Sequence, residues 1–205
     1  MKSNVCKIEN GTKDLAAILR ESEKVAVYNE LTHKQTLQLR LICEEMDGML
    51  PNIIDDFNGD FWIDFEDGVC KVNVSLRFDE YTAEKKGGLL AIAKNKKNAA
   101  AVGIVGKIRS ALENVFLVDE SFGGGDTALE SRYFVTEYYN SMYHYSGMDY
   151  ACLWSLEQYR SNVKKEKKTD AWDELEKSVI ASVADDIIVG VQGKRADIIV
   201  VKKFA

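Results

Sequence analysis

The chain has 205 residues, of which 46% are apolar, 29% charged and 10% aromatic. That is enough apolar material for one large domain or two small ones, and it excludes a chain disordered over most of its length. A net charge of −6 argues against nucleic acid or an anionic membrane as the default partner.

The opening stretch MKSNVCKIENGTKD lacks the apolar core of a secretory signal, and no apolar run reaches the roughly 18–20 residues of a membrane span. Thr12 is placed to cap a helix from Lys13 to about Tyr28, with Ile18, Leu19, Val25 and Tyr28 on its apolar side. Thr32-His-Lys-Gln35 is a capping box that opens a second helix, so a short turn joins a helix pair. The period then changes. FWIDF, Glu-Asp-Gly and VCKVNVSLRF alternate with a period of two and predict a hairpin, with Asp67-Gly68 at its turn.

Asp79 to Lys97 is polar and mixed, and Asn98 to Phe116 has helical spacing through Val102, Val105, Ile108, Leu112 and Val115. Ser121 to Asp126 is a glycine-rich break. Thr127-Ala-Leu-Glu130 is a further capping box, opening a helix toward Tyr145, and another helix is predicted from Asp149 to about Val163. Lys164 to Asp170 is a charged connection. Ala171 to Ala184 carries a helical stripe of Trp172, Leu175, Val179 and Val183. The chain closes with a second hairpin around Gly193-Lys194, where Ile198 to Val201 is apolar at every position, as in a strand that is central or covered on both faces. Helices cluster and strands pair as neighbours. The expected class is therefore α+β, a two-layer sandwich whose mostly antiparallel sheet is covered by helices on one side. A single domain over 1–205 is expected, with a helical insertion or appended layer at about 121–168.

The second helix holds the most pointed question. LQLRLICEEMDGMLPNIIDDF (Leu37–Phe57) is strongly apolar, yet it carries Glu44, Glu45 and Asp47, a glycine and the protein's only proline. At 100° per residue, Leu39, Ile42, Cys43, Met46, Met49, Leu50 and Ile53 form one stripe. Glu44 falls on the far side and reads as solvent-facing. Glu45 falls at the stripe's edge, one turn before Met49. The two glutamates are about a quarter-turn apart and cannot act as a dyad. Pro51 cannot donate to residue 47, so a kink or helix end is expected near it.

A helix pair, a glutamate within the second helix, a hairpin, glycine-bearing loops, a helix and a terminal hairpin together resemble the Bergerat-fold (GHKL) ATPase domain of histidine kinases and anti-sigma-factor kinases. LRLICEEMDGMLPNII resembles that family's E-x-x-x-N box in its apolar frame and double glutamate. The resemblance covers about Val5 to Phe116 plus the terminal hairpin. It implies ATP and Mg²⁺ as ligands, Glu45 as the base or water-orienting group, and Asp79 as the reader of the adenine amino group. It further implies the glycines Gly87-Gly88 and Gly123-Gly124-Gly125 as phosphate-facing turns; a glycine turn before a helix N-terminus suits phosphate. The sequence departs from the pattern at the metal. On the Glu45 register Met49 stands where the family has Asn, on the Glu44 register Gly48 does, and a thioether is a poor Mg²⁺ ligand. RFDEYTAEKKGG has no glycine beside Asp79, and Gly123–Gly125 also read as a plain linker.

Other chemistry is sparse. Cys6, Cys43, Cys70 and Cys152 are scattered, without CxxC, and only two histidines are present. Reduced thiols in a cytoplasmic protein are expected, and no metal site. The sequence has neither a P-loop nor a G-x-S-x-G motif. The group YFVTEYYNSMYHYSGMDYACLW holds more tyrosine than one buried stripe needs, and exposed tyrosine favours interfaces. Two expectations follow. One is a regulatory, degenerate GHKL-like protein that acts through protein partners, as anti-sigma factors do. The alternative is a non-catalytic interaction module that binds a partner, or a second copy as a homodimer, through its tyrosine-rich helices.

Overall fold

The computed structural model describes residues 1–9, 15–54, 57–77, 103–121, 151–166, 169–192 and 195–204. Six strands and six helices occur among them: β1 (Cys6–Glu9), α1 (Leu15–Tyr28), α2 (His33–Ile53), β2 (Asn58–Glu66), β3 (Val69–Arg77), α3 (Gly103–Ser121), β4 (Ala151–Ser155), α4 (Leu156–Glu166), α5 (Thr169–Lys177), α6 (Val179–Val183), β5 (Asp186–Gln192) and β6 (Arg195–Lys203). The strands form one antiparallel sheet in the order β1-β2-β3-β6-β5-β4. The expected α+β class and antiparallel sheet are present.

Both hairpins form where the alternation places them. Asp67 and Gly68 take φ of 49° and 75°, the left-handed pair of a tight two-residue turn closed by Glu66 opposite Val69. A Cβ on Gly68 would lie 2.9 Å from the Phe204 carbonyl oxygen. That glycine therefore serves both its φ and the docking of the C-terminal segment. The second hairpin closes at Gln192 opposite Arg195 and sets β6 at the sheet centre, between β3 and β5.

One sheet face and the helices enclose the core. Phe61, Ile63, Val72, Val74, Leu76, Ile187, Val189, Ile198 and Val200 pack with Ile18, Leu39, Ile42, Met46, Leu50, Ile108, Leu156 and Ile180. The α2 stripe falls as the helical wheel has it: Leu39, Ile42, Cys43, Met46, Met49, Leu50 and Ile53 are the buried side chains of that helix. Both halves of the Thr32 capping box are made, with Gln35 N donating to Thr32 Oγ1 at 3.4 Å and Thr32 N donating to Gln35 Oε1 at 2.9 Å. The helix ends at Ile53, two residues beyond Pro51.

The sequence pattern marks no element ahead of the first helix; there β1 pairs with β2, and Ser3 N and Met1 O extend the pairing to Ile63 and Phe65. Two expectations need correction. The helix expected from Asp149 to Val163 is a strand followed by a helix: β4 lies at the sheet edge on β5, so part of the supposed helical insertion belongs to the sheet. The start of α4 is set by Ser155 Oγ, which accepts from Gln158 N (3.1 Å), and by Asp186 Oδ1, which accepts from Glu157 N (3.0 Å). The second of these caps comes from a residue 29 positions away, out of reach of local pattern. The helix expected from Ala171 to Ala184 is two helices, because Ser178 leaves the helical conformation and caps α6 by accepting from Ala181 N. The helix predicted from Thr127 lies outside the described residues.

Candidate functional site

Glu44 and Glu45 sit mid-way along α2, which the capping box and apolar stripe hold against the core. Glu44 is half-buried, with its side chain 37% exposed, and pairs with Arg40 one turn earlier (2.9 Å); Arg40 also reaches Glu23 of α1 at 3.4 Å. Glu45 is half-buried and makes no hydrogen bond or ion pair with any described residue. One turn on, Met49 is 5% exposed and belongs to the core. The position where the resembled box carries its metal-binding Asn thus faces inward among apolar side chains. The other register fares no better, since Gly48 has no side chain and sits exposed. Asn52 donates to the Gly48 carbonyl at 3.2 Å, and its own carbonyl accepts from Arg109 of α3 at 3.4 Å. Glu45 is accordingly the one member of the proposed constellation placed by the described structure. Asp79, Gly87, Gly88, Gly123, Gly124 and Gly125 lie outside the described residues, as do the tyrosines from Tyr133 to Tyr150.

Several polar groups escaped the sequence reading. Glu21 is an α1 residue on the buried side, 8% exposed. Its carboxylate accepts from Asn4 N (3.1 Å), Asn4 Nδ2 (3.2 Å) and Lys24 Nζ (2.6 Å), which ties α1 to the segment before β1. Burial works to raise its pKa, but the hydrogen bonds from Lys24 and Asn4 outweigh it and leave the carboxyl below its usual range. Asp186 is 3% exposed and caps α4; burial pushes its carboxyl up, against the lowering effect of the Glu157 and Ile187 amides.

The sheet face turned away from the helical core is also largely buried, and it is polar. Trp62, Asn73, Ser75, Asp197 and Ile199 are each under 9% exposed on it. Trp62 Nε1 and Asn73 Nδ2 both donate to Asp64 Oδ2, at 2.8 and 3.2 Å. Asp197 Oδ1 accepts from Arg195 Nε at 3.0 Å, while its Oδ2 is buried without a partner. At one corner of this face, Lys7, Ile8, Glu9, Asn58, Gly59, Asp60 and Arg77 line an open cavity of about 320 Å³. Alternation within β2, β3 and β6 identifies these as one face, but the chemistry it carries depends on cross-strand register, which sequence does not state.

Cys43 and Cys70 are buried, unbridged thiols. Burial pushes the Cys70 thiol up to about 12 and raises Cys43 strongly as well, so both are inert side chains of the core. Among the described residues no cluster of His, Cys, Asp and Glu is arranged to hold a metal ion, and no helix is long and apolar enough to cross a membrane. Comparison with protein-family models, curated proteins and solved structures gives no match.

Proposed function

We propose that this is a cytoplasmic regulatory protein of GHKL-like design that acts through protein partners and binds ATP weakly or not at all. One observation carries the reading: Met49, one turn beyond Glu45, is buried in the core. A position occupied by an apolar core side chain supplies no hard oxygen to Mg²⁺. Glu45 itself supports retention of a binding edge, being half-buried at the margin of the stripe without a polar partner among the described residues. The helix pair and antiparallel sheet around it support the design without specifying a reaction.

The test is calorimetric titration with ATP, with and without Mg²⁺, beside a hydrolysis assay on wild type and Glu45→Gln. The expected result is little or no turnover, equal in both proteins, and any ATP binding insensitive to Mg²⁺. Mg²⁺-dependent hydrolysis that disappears in a folded Glu45→Gln variant would overturn the reading in favour of an active ATPase. Absence of heat at millimolar ATP would remove the nucleotide and leave the partner-binding role.

A further inference from the structure

Independently of that reading, we propose that the end of the sheet where β3 and β6 pair at Arg77 and Arg195, with β2 and β1 continuing the sheet beside β3, binds a phosphoryl group on the face away from the helical core. Arg77 and Arg195 stand directly opposite each other in the β3–β6 ladder. Cross-strand neighbours lie about 4.5–5.5 Å apart at Cα, and like charges so placed repel. The fold nevertheless holds both in place through carboxylates on the adjoining row. Arg77 Nη2 donates to Asp60 Oδ2 at 2.9 Å, and Arg195 Nε donates to Asp197 Oδ1 at 3.0 Å. The aspartates are rigid anchors, with side chains 16% and 3% exposed, whereas the guanidiniums are 59% and 43% exposed.

Each arginine spends one nitrogen on its anchor. Its remaining N–H groups have no partner among the described residues. A guanidinium fixed at one nitrogen presents the rest of its planar fork in a set direction, and that fork matches the geometry of a tetrahedral oxyanion. Lys7 adds a cation at the β1 end of the adjoining aspartate row: its Nζ is 2.5 Å from Asp60 Oδ1, and its side chain is 78% exposed. The cavity beside Arg77, about 320 Å³, is large enough for a phosphate with a small attached group.

Three cations share two aspartates here, and Glu9 across from Asn58 offsets the surplus. Recognition therefore comes from oriented donors rather than from a broadly positive field. This distinguishes the site from generic attraction, because Asp60→Asn makes the corner more positive while freeing Arg77 and Lys7 to wander.

The experiment titrates ¹⁵N-labelled protein with inorganic phosphate and, in a second arm, with glycerol phosphate, following the Arg side-chain Nε–H resonances. Saturable shifts at Arg77 and Arg195 are expected. Arg77→Lys, which keeps the charge and loses the fork, weakens binding about tenfold, as does Arg195→Gln. Asp60→Asn weakens it too, with a thermal melt confirming each fold. Tighter binding by glycerol phosphate assigns the site to a phosphorylated small molecule, and equal binding assigns it to the free ion. Absence of saturation by either ligand, unchanged affinity in Arg77→Lys, or stronger binding in Asp60→Asn would each overturn the proposal.

Discussion

At the residue scale, buried carboxylates in this protein are decided by what surrounds them, and two of them respond to pH in opposite directions. Glu21 is held below its usual range, so its contribution to stability is present above the unfolded pKa and is lost as pH falls through the lower folded value. Asp186 is pushed up by burial; its contribution is full below the unfolded pKa and is lost as pH rises through the higher folded value. At neutral pH its charge is thus a cost, while its Oδ1 still caps α4 and accepts from Ile187 N at 2.8 Å. Asparagine keeps that acceptor without the charge. Asp186→Asn should remain within about 1 kcal/mol of wild type at pH 7, whereas Asp186→Ala should lose about 1–2 kcal/mol with the cap. Urea midpoints measured from pH 3 to 8 check both; equal losses in the two variants would show that the cap does not matter. Neither residue stood out in the sequence. A glutamate within an amphipathic helix and an aspartate before a strand are ordinary until their neighbours are known.

At the element scale, the turn between α1 and α2 stores a small strain. Glu30 has φ of 52°, Leu31 N donates to Ala26 O at 3.0 Å, and Glu30 N donates to Val27 O at 3.2 Å, so α1 ends in a Schellman motif with a non-glycine residue in the left-handed position. A side chain there costs energy that glycine does not pay. Glu30→Gly should therefore raise stability by about 0.5–1 kcal/mol, read from the urea midpoint at constant m-value; a loss would mean that the Glu30 side chain is itself stabilising. The same scale separates what local pattern discloses from what it does not. The α2 capping box, its seven-residue buried stripe and the Asp67-Gly68 turn are local events, made by residues within a turn or two of each other, and all were legible. β4 is only five residues long, and it is a strand because β5 offers it an edge. The break at Ser178 interrupts a stripe of otherwise continuous helical spacing.

At the scale of the whole molecule, β6 is the element on which the rest depends. It is paired on both sides, and Ile198 to Val201 are 0%, 3%, 0% and 6% exposed, so both of its faces are interior. Ile198→Ala, which opens a cavity where sheet and helices meet, should cost about 2–5 kcal/mol and lower the cooperative thermal midpoint of the whole chain. A loss below 1 kcal/mol would mean that the site collapses freely and that β6 is not the centre of the core. Composition and periodicity determined that this is an α+β protein with a sheet of two hairpins, and that Glu44 and Glu45 diverge, because those properties follow from spacing along one chain. Only the tertiary structure decided that Asp186 caps a helix 29 residues before it, and that Arg77 and Arg195 face each other over two anchored aspartates. Each of those depends on strand register and helix docking, which bring distant residues within reach without leaving a local mark in the sequence.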